Sequence, residues 1–256
     1  MTDCLIAFGS NEGNSLEIFA QASKRISEIK RVQLLAVSKP LVTQPIGGPQ
    51  GQAAYQNAAI RLQTDLSANE LHRELVKIEN EFGRKRRSRW SSRKIDLDLL
   101  LLGTLQLESE TLTIPHPRMS FRRFVLEPAK EIAGDLIHAS SGLTIDQLLV
   151  ALDQRENLIL FVTRPGELVQ HEKLIQSLLP PKWKMQVVSD ETLLEQNSER
   201  AKLVCFVKNF DQQNSELDLL VREAASQPSP TLRLDRDLEK SKVEIKAAFE
   251  AIKKYD

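Results

Sequence analysis

The feature that most constrains this chain is Ile95-Asp96-Leu97-Asp98-Leu99-Leu100-Leu101-Leu102, an apolar run of strand length that carries two carboxylates. Side chains two apart on a strand share a face, so Asp96 and Asp98 project together while Ile95, Leu97 and Leu99 face away. Like charges side by side repel, and burying them is costly unless a cation sits between them. Mg2+ carrying nucleotide phosphates meets that need, because magnesium takes a few carboxylates together with phosphate oxygens and water. The plainer alternative is a strand end open to solvent, and the flanking leucines weigh against it.

Clear punctuation surrounds this strand. Residues 4–8 read as a buried strand and 9–14 as a turn-rich loop. Asn14, with Glu17 completing a box, caps a helix whose Leu16, Phe19, Ala20, Ser23 and Ile26 share a face. Residues 33–43 and 53–64 read as two strands around a Gly- and Pro-rich loop, 44–52. Ser67 and Glu70 form a capping box, and Leu66 with Leu71 a hydrophobic staple. Leu71, Leu75, Ile78 and Phe82 then keep helical spacing until Gly83. A short helix near Pro128 and another from Thr144 follow.

Residues 153–157 are polar and have the composition of a linker. Beyond them, strands at 158–163, 185–188, 203–207 and 231–234 alternate with helices at 166–179, 214–226 and 236–254. That alternation predicts a second, smaller α/β domain with a mainly parallel sheet. The expected division is 1–153 and 158–256, and 256 residues suit two domains of ordinary size.

Basic and acidic residues balance at 35 each, so no overall field draws the chain to nucleic acid or membranes, and any electrostatic function is local. No apolar run approaches the ~20 residues that span a bilayer. Cys4 and Cys205 sit in apolar runs, which suits small buried groups in a reducing compartment. The expectation is a cytoplasmic protein.

Other candidates for chemistry lie near the acidic pair. Arg84, Lys85, Arg86, Arg87, Arg89, Arg93 and Lys94 crowd just before it. They suit a phosphate clamp, a nucleic-acid surface with Trp90 as stacking platform, or a solvated loop. Adjacency to a metal-ready strand favours the phosphates. Pro115-His116-Pro117-Arg118 presents an imidazole and a guanidinium on a stiff backbone. Tyr55 and Asn57 share a strand face, where a ring beside an amide suits a flat heterocycle or simply packs. His72, His138 and His171 read as structural. No Walker loop, zinc spacing or nucleophile elbow occurs. In the second half, Thr163-Arg164-Pro165-Gly166 opens a helix, an anion-binding place or an ordinary turn. The last helix carries Val243, Ile245, Ala248, Phe249 and Ile252, a face for the sheet or for another subunit.

Taken in order, these pieces resemble the hydroxymethyl-dihydropterin pyrophosphokinases over about residues 3–150. The resemblance is carried by Ala7-Phe8-Gly9-Ser10-Asn11, Thr43-Gln44-Pro45-Ile46-Gly47, and Gln52 to Tyr55 with Asn57. It continues through Glu79, Gly83-Arg84-Lys85-Arg86, Arg89-Trp90 and Arg93-Lys94-Ile95-Asp96-Leu97-Asp98. Pro115-His116-Pro117-Arg118 and Arg122-Arg123-Phe124-Val125-Leu126 complete it.

The resemblance implies an α+β ferredoxin-like N-terminal domain that moves pyrophosphate from ATP to 6-hydroxymethyl-7,8-dihydropterin with two Mg2+ ions. By position, Asp96 and Asp98 would hold the metals, and Tyr55 and Phe124 would sandwich the pterin. Asn57 would read the pterin's edge, helped by Thr43, Pro45 and Gly47. Arg84, Arg93 and His116 would contact the triphosphate, with Arg118 and Arg122 nearby, and Trp90 belongs to a closing loop. There are three departures from the pattern: Ser91-Ser92 replaces Gly-Pro in a loop one residue short, Gln56 replaces an apolar residue, and so does His72. The second half lacks the motifs of the enzymes fused to this family elsewhere, and a homodimer through it stays open. A pterin or nucleotide sensor without turnover and a basic-loop nucleic-acid binder are the competing readings.

Overall fold

The computed structural model describes residues 1–46, 51–83, 92–163, 168–207 and 229–253. The first half is built on β1 (Thr2–Ser10), β2 (Val32–Val37), β3 (Leu41–Thr43), β4 (Tyr55–Thr64) and β5 (Asp96–Leu102). Their order is β2-β4-β1-β5, with β3 also on β4, and every pairing is antiparallel. Alternation along these strands gives the sheet two apolar faces. Cys4, Ile6 and Phe8, with Ile60, Leu62, Leu97 and Leu99, pack against α1 (Ser15–Ser27) and α2 (Ala68–Glu81). Leu5, Ala59 and Leu101 face Val125, Leu126 and Ala129 of α3 (Arg123–Ala133) instead.

The carboxylates of β5 therefore share the α3 face, where that helix begins. Hairpin β6 (Leu107–Glu108) and β7 (Thr113–Ile114), a 3-10 turn (Met119–Phe121), β8 (Ile137–His138), β9 (Leu143–Thr144) and α4 (Ile145–Gln154) complete this half.

The second half contains β10 (Glu156–Val162), α5 (Val169–Leu178), β11 (Lys184–Val188), α6 (Glu191–Ser198), β12 (Ala201–Val207), β13 (Thr231–Leu234) and α7 (Leu238–Ile252). Its sheet, ordered β11-β10-β12-β13, is wholly parallel. Parallel strands covered on both faces read as unbroken apolar runs. All seven residues of β12 are buried accordingly. Leu160, Val204 and Phe206 face Leu194 of α6, while Ile159, Phe161 and Cys205 belong to the core that α7 closes.

Several elements differ from the sequence reading. Gly9 and Ser10 are still strand, paired with Asn57 and Gln56, because β4 is long enough to meet them. The expected strand 33–43 is two, broken at 38–40, where Pro40 has no N–H to give and the Ser38 hydroxyl accepts from Ala59 N at 2.8 Å. In α1, Leu16 and Ala20 are exposed and Ala22 is buried, so the apolar stripe runs one step round the helix. Asn14 accepts from Glu17 N, but Glu17 returns its bond to the Asn14 side-chain amide and not to the backbone.

No polar linker joins the halves. Helix α4 ends at Gln154 and β10 begins at Glu156. The polar residues there are paired: Asp153 with Arg123, Glu156 with Arg200 at 2.8 Å, and Asn157 with Lys202 at 2.9 Å. Helix α6, capped by Asp190, had too weak an amphipathic pattern to be read. Val243 of α7 is exposed, and the buried side carries Ile245, Ala248, Phe249 and Ile252. The expected helix 214–226 and the turn residues Arg164, Pro165 and Gly166 lie outside the described residues.

The apolar face of α7 is spent inside the chain, since it joins Met119, Phe121 and Val125 of the first half in one core. Among the described residues, polar links cross between the halves. Arg118 meets Glu244 at 3.0 Å, Arg233 meets Glu108 at 2.6 Å, and Arg123 Nε donates to the Ile252 carbonyl at 2.6 Å.

Candidate active site

Register across the first sheet creates the floor of a cleft. Asn57 of β4 lies opposite Gly9 of β1, which lies opposite Asp96 of β5. One step further, Ala59, Ala7 and Asp98 form the next row on the same face. Small residues in the middle strand leave a trough with an amide on one bank and carboxylates on the other. A Cβ at Gly9 would meet Asp96 Cβ at 3.8 Å and Asn57 Oδ1 at 4.0 Å, so a methyl fits there only by standing in the trough.

The amide bank is held rigidly. Asn57 is buried, and its Nδ2 donates to Thr43 Oγ1 at 2.8 Å and to the Leu41 carbonyl at 3.3 Å. Those bonds set the amide's orientation and leave Oδ1 as the acceptor toward the trough. Tyr55 stands two residues before Asn57 on this face, and burial pushes its phenol upward. Thr43, Gln44 and Ile46 border the cleft on this same bank, where Thr43 of β3 pairs with Tyr55. Pro45 is half-buried beside them without lining it.

The carboxylate bank is fixed from behind. Glu79 of α2 is buried, and its Oε1 accepts from Leu97 N, between the two aspartates, at 2.7 Å. Asn11 pins the entry to β5: its Oδ1 accepts from Arg93 N at 2.9 Å, its N donates to the Arg93 carbonyl at 3.1 Å, and its Nδ2 reaches the Ala53 carbonyl at 3.2 Å. Ser92 donates to Gln52 Oε1 at 3.2 Å, joining the loops on either side of the cleft. Arg93 closes this bank by pairing its Nη1 with Asp96.

A basic wall faces the aspartates. His116 Nδ1 accepts from Arg118 N at 3.3 Å, so the ring presents Nε2–H, which lies 4.0 Å from Asp98. Burial and then the charges of Arg122 and Arg118 push the imidazole down to about 3. It is therefore a neutral donor at ordinary pH. Burial, with Arg118 beside it, also brings Arg122 down to about 10, a value at which it stays charged. Its guanidinium lies 5.5 Å from the centre of the Phe124 ring, a cation–π distance. Phe124 and Val125, in the first turn of α3, bring that wall back to the cleft.

The cleft encloses about 760 Å3 when its open mouth is included. It gathers Thr43, Tyr55, Asn57, Arg93, Asp96, Asp98, Arg122 and Phe124 from the residues singled out in the sequence. His116 stands behind Asp98, and Arg118 turns away to Glu244. Gly47, Arg84 and Trp90 lie outside the described residues. Glu79 and Asn11 had no role assigned from sequence. A glutamate four residues after Leu75, on the apolar stripe of α2, was the available signal for the first.

An anionic pair facing a basic wall, with an aromatic end two strands away, defines a transferase of phosphoryl groups. A family model described as 7,8-dihydro-6-hydroxymethylpterin-pyrophosphokinase (HPPK) matches residues 5–134, and the chain belongs to that family. The 2-amino-4-hydroxy-6-hydroxymethyldihydropteridine pyrophosphokinase of Haemophilus influenzae is 43% identical over 143 residues, covering 56% of this chain and 89% of the relative. That of Synechocystis is 38% identical over 149 residues, covering 58% and 75%. A crystal structure of wild-type Plasmodium falciparum HPPK-DHPS aligns with 87% of this chain and 59% of its own, with 12% identity and a TM-score of 0.43, a likeness that adds nothing to the assignment. The matched segment stops before the parallel sheet.

Proposed function

We propose that this chain transfers pyrophosphate from ATP to 6-hydroxymethyl-7,8-dihydropterin in folate biosynthesis, releasing AMP, with two Mg2+ ions held by Asp96 and Asp98. The observation that carries this reading is the row Asn57–Gly9–Asp96, which puts heterocycle recognition and phosphate chemistry on one floor. The first sheet, with elements in the order βαβββαβ, in which β2 and the short β3 both pair with β4, and with strands β5-β1-β4-β2, supports a ferredoxin-like core. We read 1–153 as the catalytic domain and 158–256 as an appended α/β domain. A homodimer, if formed through that domain, has to use a surface other than the apolar face of α7.

In this reading the pterin lies between Tyr55 and Phe124, and a ring N–H or amino group donates to Asn57 Oδ1. Its hydroxymethyl oxygen then points along the trough toward the aspartates. The oxygen bonds to the β-phosphorus as the bridge to the α-phosphorus breaks, and AMP departs with the bridging oxygen while the hydroxyl proton is lost. Arg93, Arg122 and His116 Nε2–H face the triphosphate and answer the charge on its oxygens. Two carboxylates on one strand face suit a hard divalent cation, and such ions supply positive charge against the triphosphate when bound. On the protein itself, Asp96 pairs with Arg93. Both cysteines are free and buried, which suits a reducing cytoplasm. Among the described residues no helix is long and apolar enough to cross a membrane.

The test is substitution of the acidic pair. Asp96→Ala and Asp98→Ala are expected to keep the fold and to lose AMP formation by about 1000-fold or more. Turnover at the parent rate in either variant would sink the metal assignment.

A further inference from the structure

The segment 116–124 carries the basic wall and one side of the aromatic end of the cleft, and α7 grips it at its middle and at its C-terminal end. Arg118 and Arg123 bracket Arg122 in sequence. Arg118 Nη2 meets Glu244 Oε2 at 3.0 Å in the first half of α7. Arg123 Nε donates to the Ile252 carbonyl at 2.6 Å in its last turn. Ala247, Ala248 and Ala251 let the helix come close, and only a narrow crevice lies between it and the cleft wall. Ile46, Arg122 and Phe124 border both the crevice and the cleft, so α7 backs that wall directly.

The electrostatics point to one residue on that helix. His116, Arg118 and Arg122 stand together in an enclosed place, and the charge of Arg118 acts against protonation of both neighbours. Asp96 and Asp98 oppose that charge from the cleft side, but a triphosphate with its cations engages them. Glu244 opposes it from behind, on Arg118, and its charge is also felt by Arg122. It is 4% exposed, so it acts in a poorly screened setting. It also lies far beyond residues 5–134, the segment matched to the family.

We infer that Glu244 is a positioning residue of the triphosphate site, holding Arg118 in place and thereby setting where Arg122 and His116 meet the phosphates. The appended domain is then part of the active-site scaffold and not a passenger. This inference rests on the transferase reading given above.

The test uses full-length Glu244→Gln, which keeps the side chain's shape and removes its charge. A rise of about tenfold in the KM for ATP is expected, the loss of about one charge-assisted hydrogen bond, with kcat and the KM for the pterin little changed. In an Arg118→Gln background the same change should add nothing further, because Glu244 acts through Arg118. Should Glu244→Gln fail to fold, Glu244→Asp keeps the charge and withdraws it by one methylene, and a smaller rise in the same constant is expected. An unchanged KM for ATP in a folded variant overturns the inference. So does a fall, which would make Glu244 a competitor of the phosphates, and so does an equal loss in every constant together with a lower melting temperature. Parent protein assayed alongside separates the two readings. A parent that forms no AMP refutes the transferase, whereas an active parent with an indifferent Glu244→Gln refutes only the positioning role.

Discussion

Asn57 and Asp96 stand opposite one another across Gly9, in a single row of the first sheet. Neighbouring strands are about 4.8 Å apart, so the backbones of the amide bank and the acidic bank are separated by about 10 Å. Only a glycine lies between them, and the cleft floor is therefore its backbone.

Filling that floor should hurt chemistry more than folding. A Cβ at Gly9 makes only ordinary contacts at 3.8 and 4.0 Å, so Gly9→Ala is expected to melt within a few degrees of the parent. The larger Gly9→Val side chain displaces a ligand lying across the trough and should lower kcat/KM by about 100-fold. Parallel melting curves and steady-state kinetics check this; equal losses in both would contradict it.

Glu79 supports the acidic strand through Leu97 N, at 2.7 Å in a buried setting. Glu79→Ala leaves that N–H without its acceptor and should cost about 2 kcal/mol in urea unfolding. Glu79→Gln retains an oxygen at the same place and should cost less. In both, half-maximal activity should need more Mg2+, because the strand bearing Asp96 and Asp98 is held less firmly.

Arg123 fastens the end of α7 to the start of α3. It is buried, pairs with Asp153 and donates to the Ile252 carbonyl in the last turn of α7, where helical carbonyls run out of intrahelical donors. Arg123→Met should lower stability by about 2–3 kcal/mol. Amide exchange should quicken first in the last turn of α7, and uniform exchange along the helix would argue against the strut.

Acid should weaken the ligand-free protein before its carboxylates titrate. Burial brings His138 down to about 4 from an ordinary 6.5, so the unfolded chain takes up a proton that the folded chain refuses. That contribution is fully present above pH 6.5 and is lost as pH falls toward 4, with a slope of about 1.4 kcal/mol per pH unit from this one group. His116, lowered to about 3, acts with the same sign. Urea unfolding between pH 7 and 4.5 should show a shallower decline in His138→Gln than in the parent.

What the sequence revealed and what it hid follow from range. Capping at Ser67, the helix start at Thr144 and the alternation around Asp96 and Asp98 are local patterns, and they were legible. So were the continuous apolar strands of the parallel sheet, since burial on both faces leaves an unmistakable run. The strand break before β3 was missed because Ser38-Lys39-Pro40 is a short interruption between two runs that each read as strand. The polar run 153–157 misled for the opposite reason, as its charges are satisfied by Arg123, Arg200 and Lys202, which are distant in sequence. The same holds at the site. Tyr55, Asn57 and the aspartates announced themselves by spacing, whereas the roles of Glu79 and Glu244 exist only through contacts across the fold.

The most direct test of the account is AMP formation from ATP and Mg2+, measured with and without 6-hydroxymethyl-7,8-dihydropterin. AMP is expected only when the pterin is present, with chelation of the metal abolishing it. No AMP from protein shown to bind both ligands, or AMP formed at the same rate without the pterin, would contradict the account.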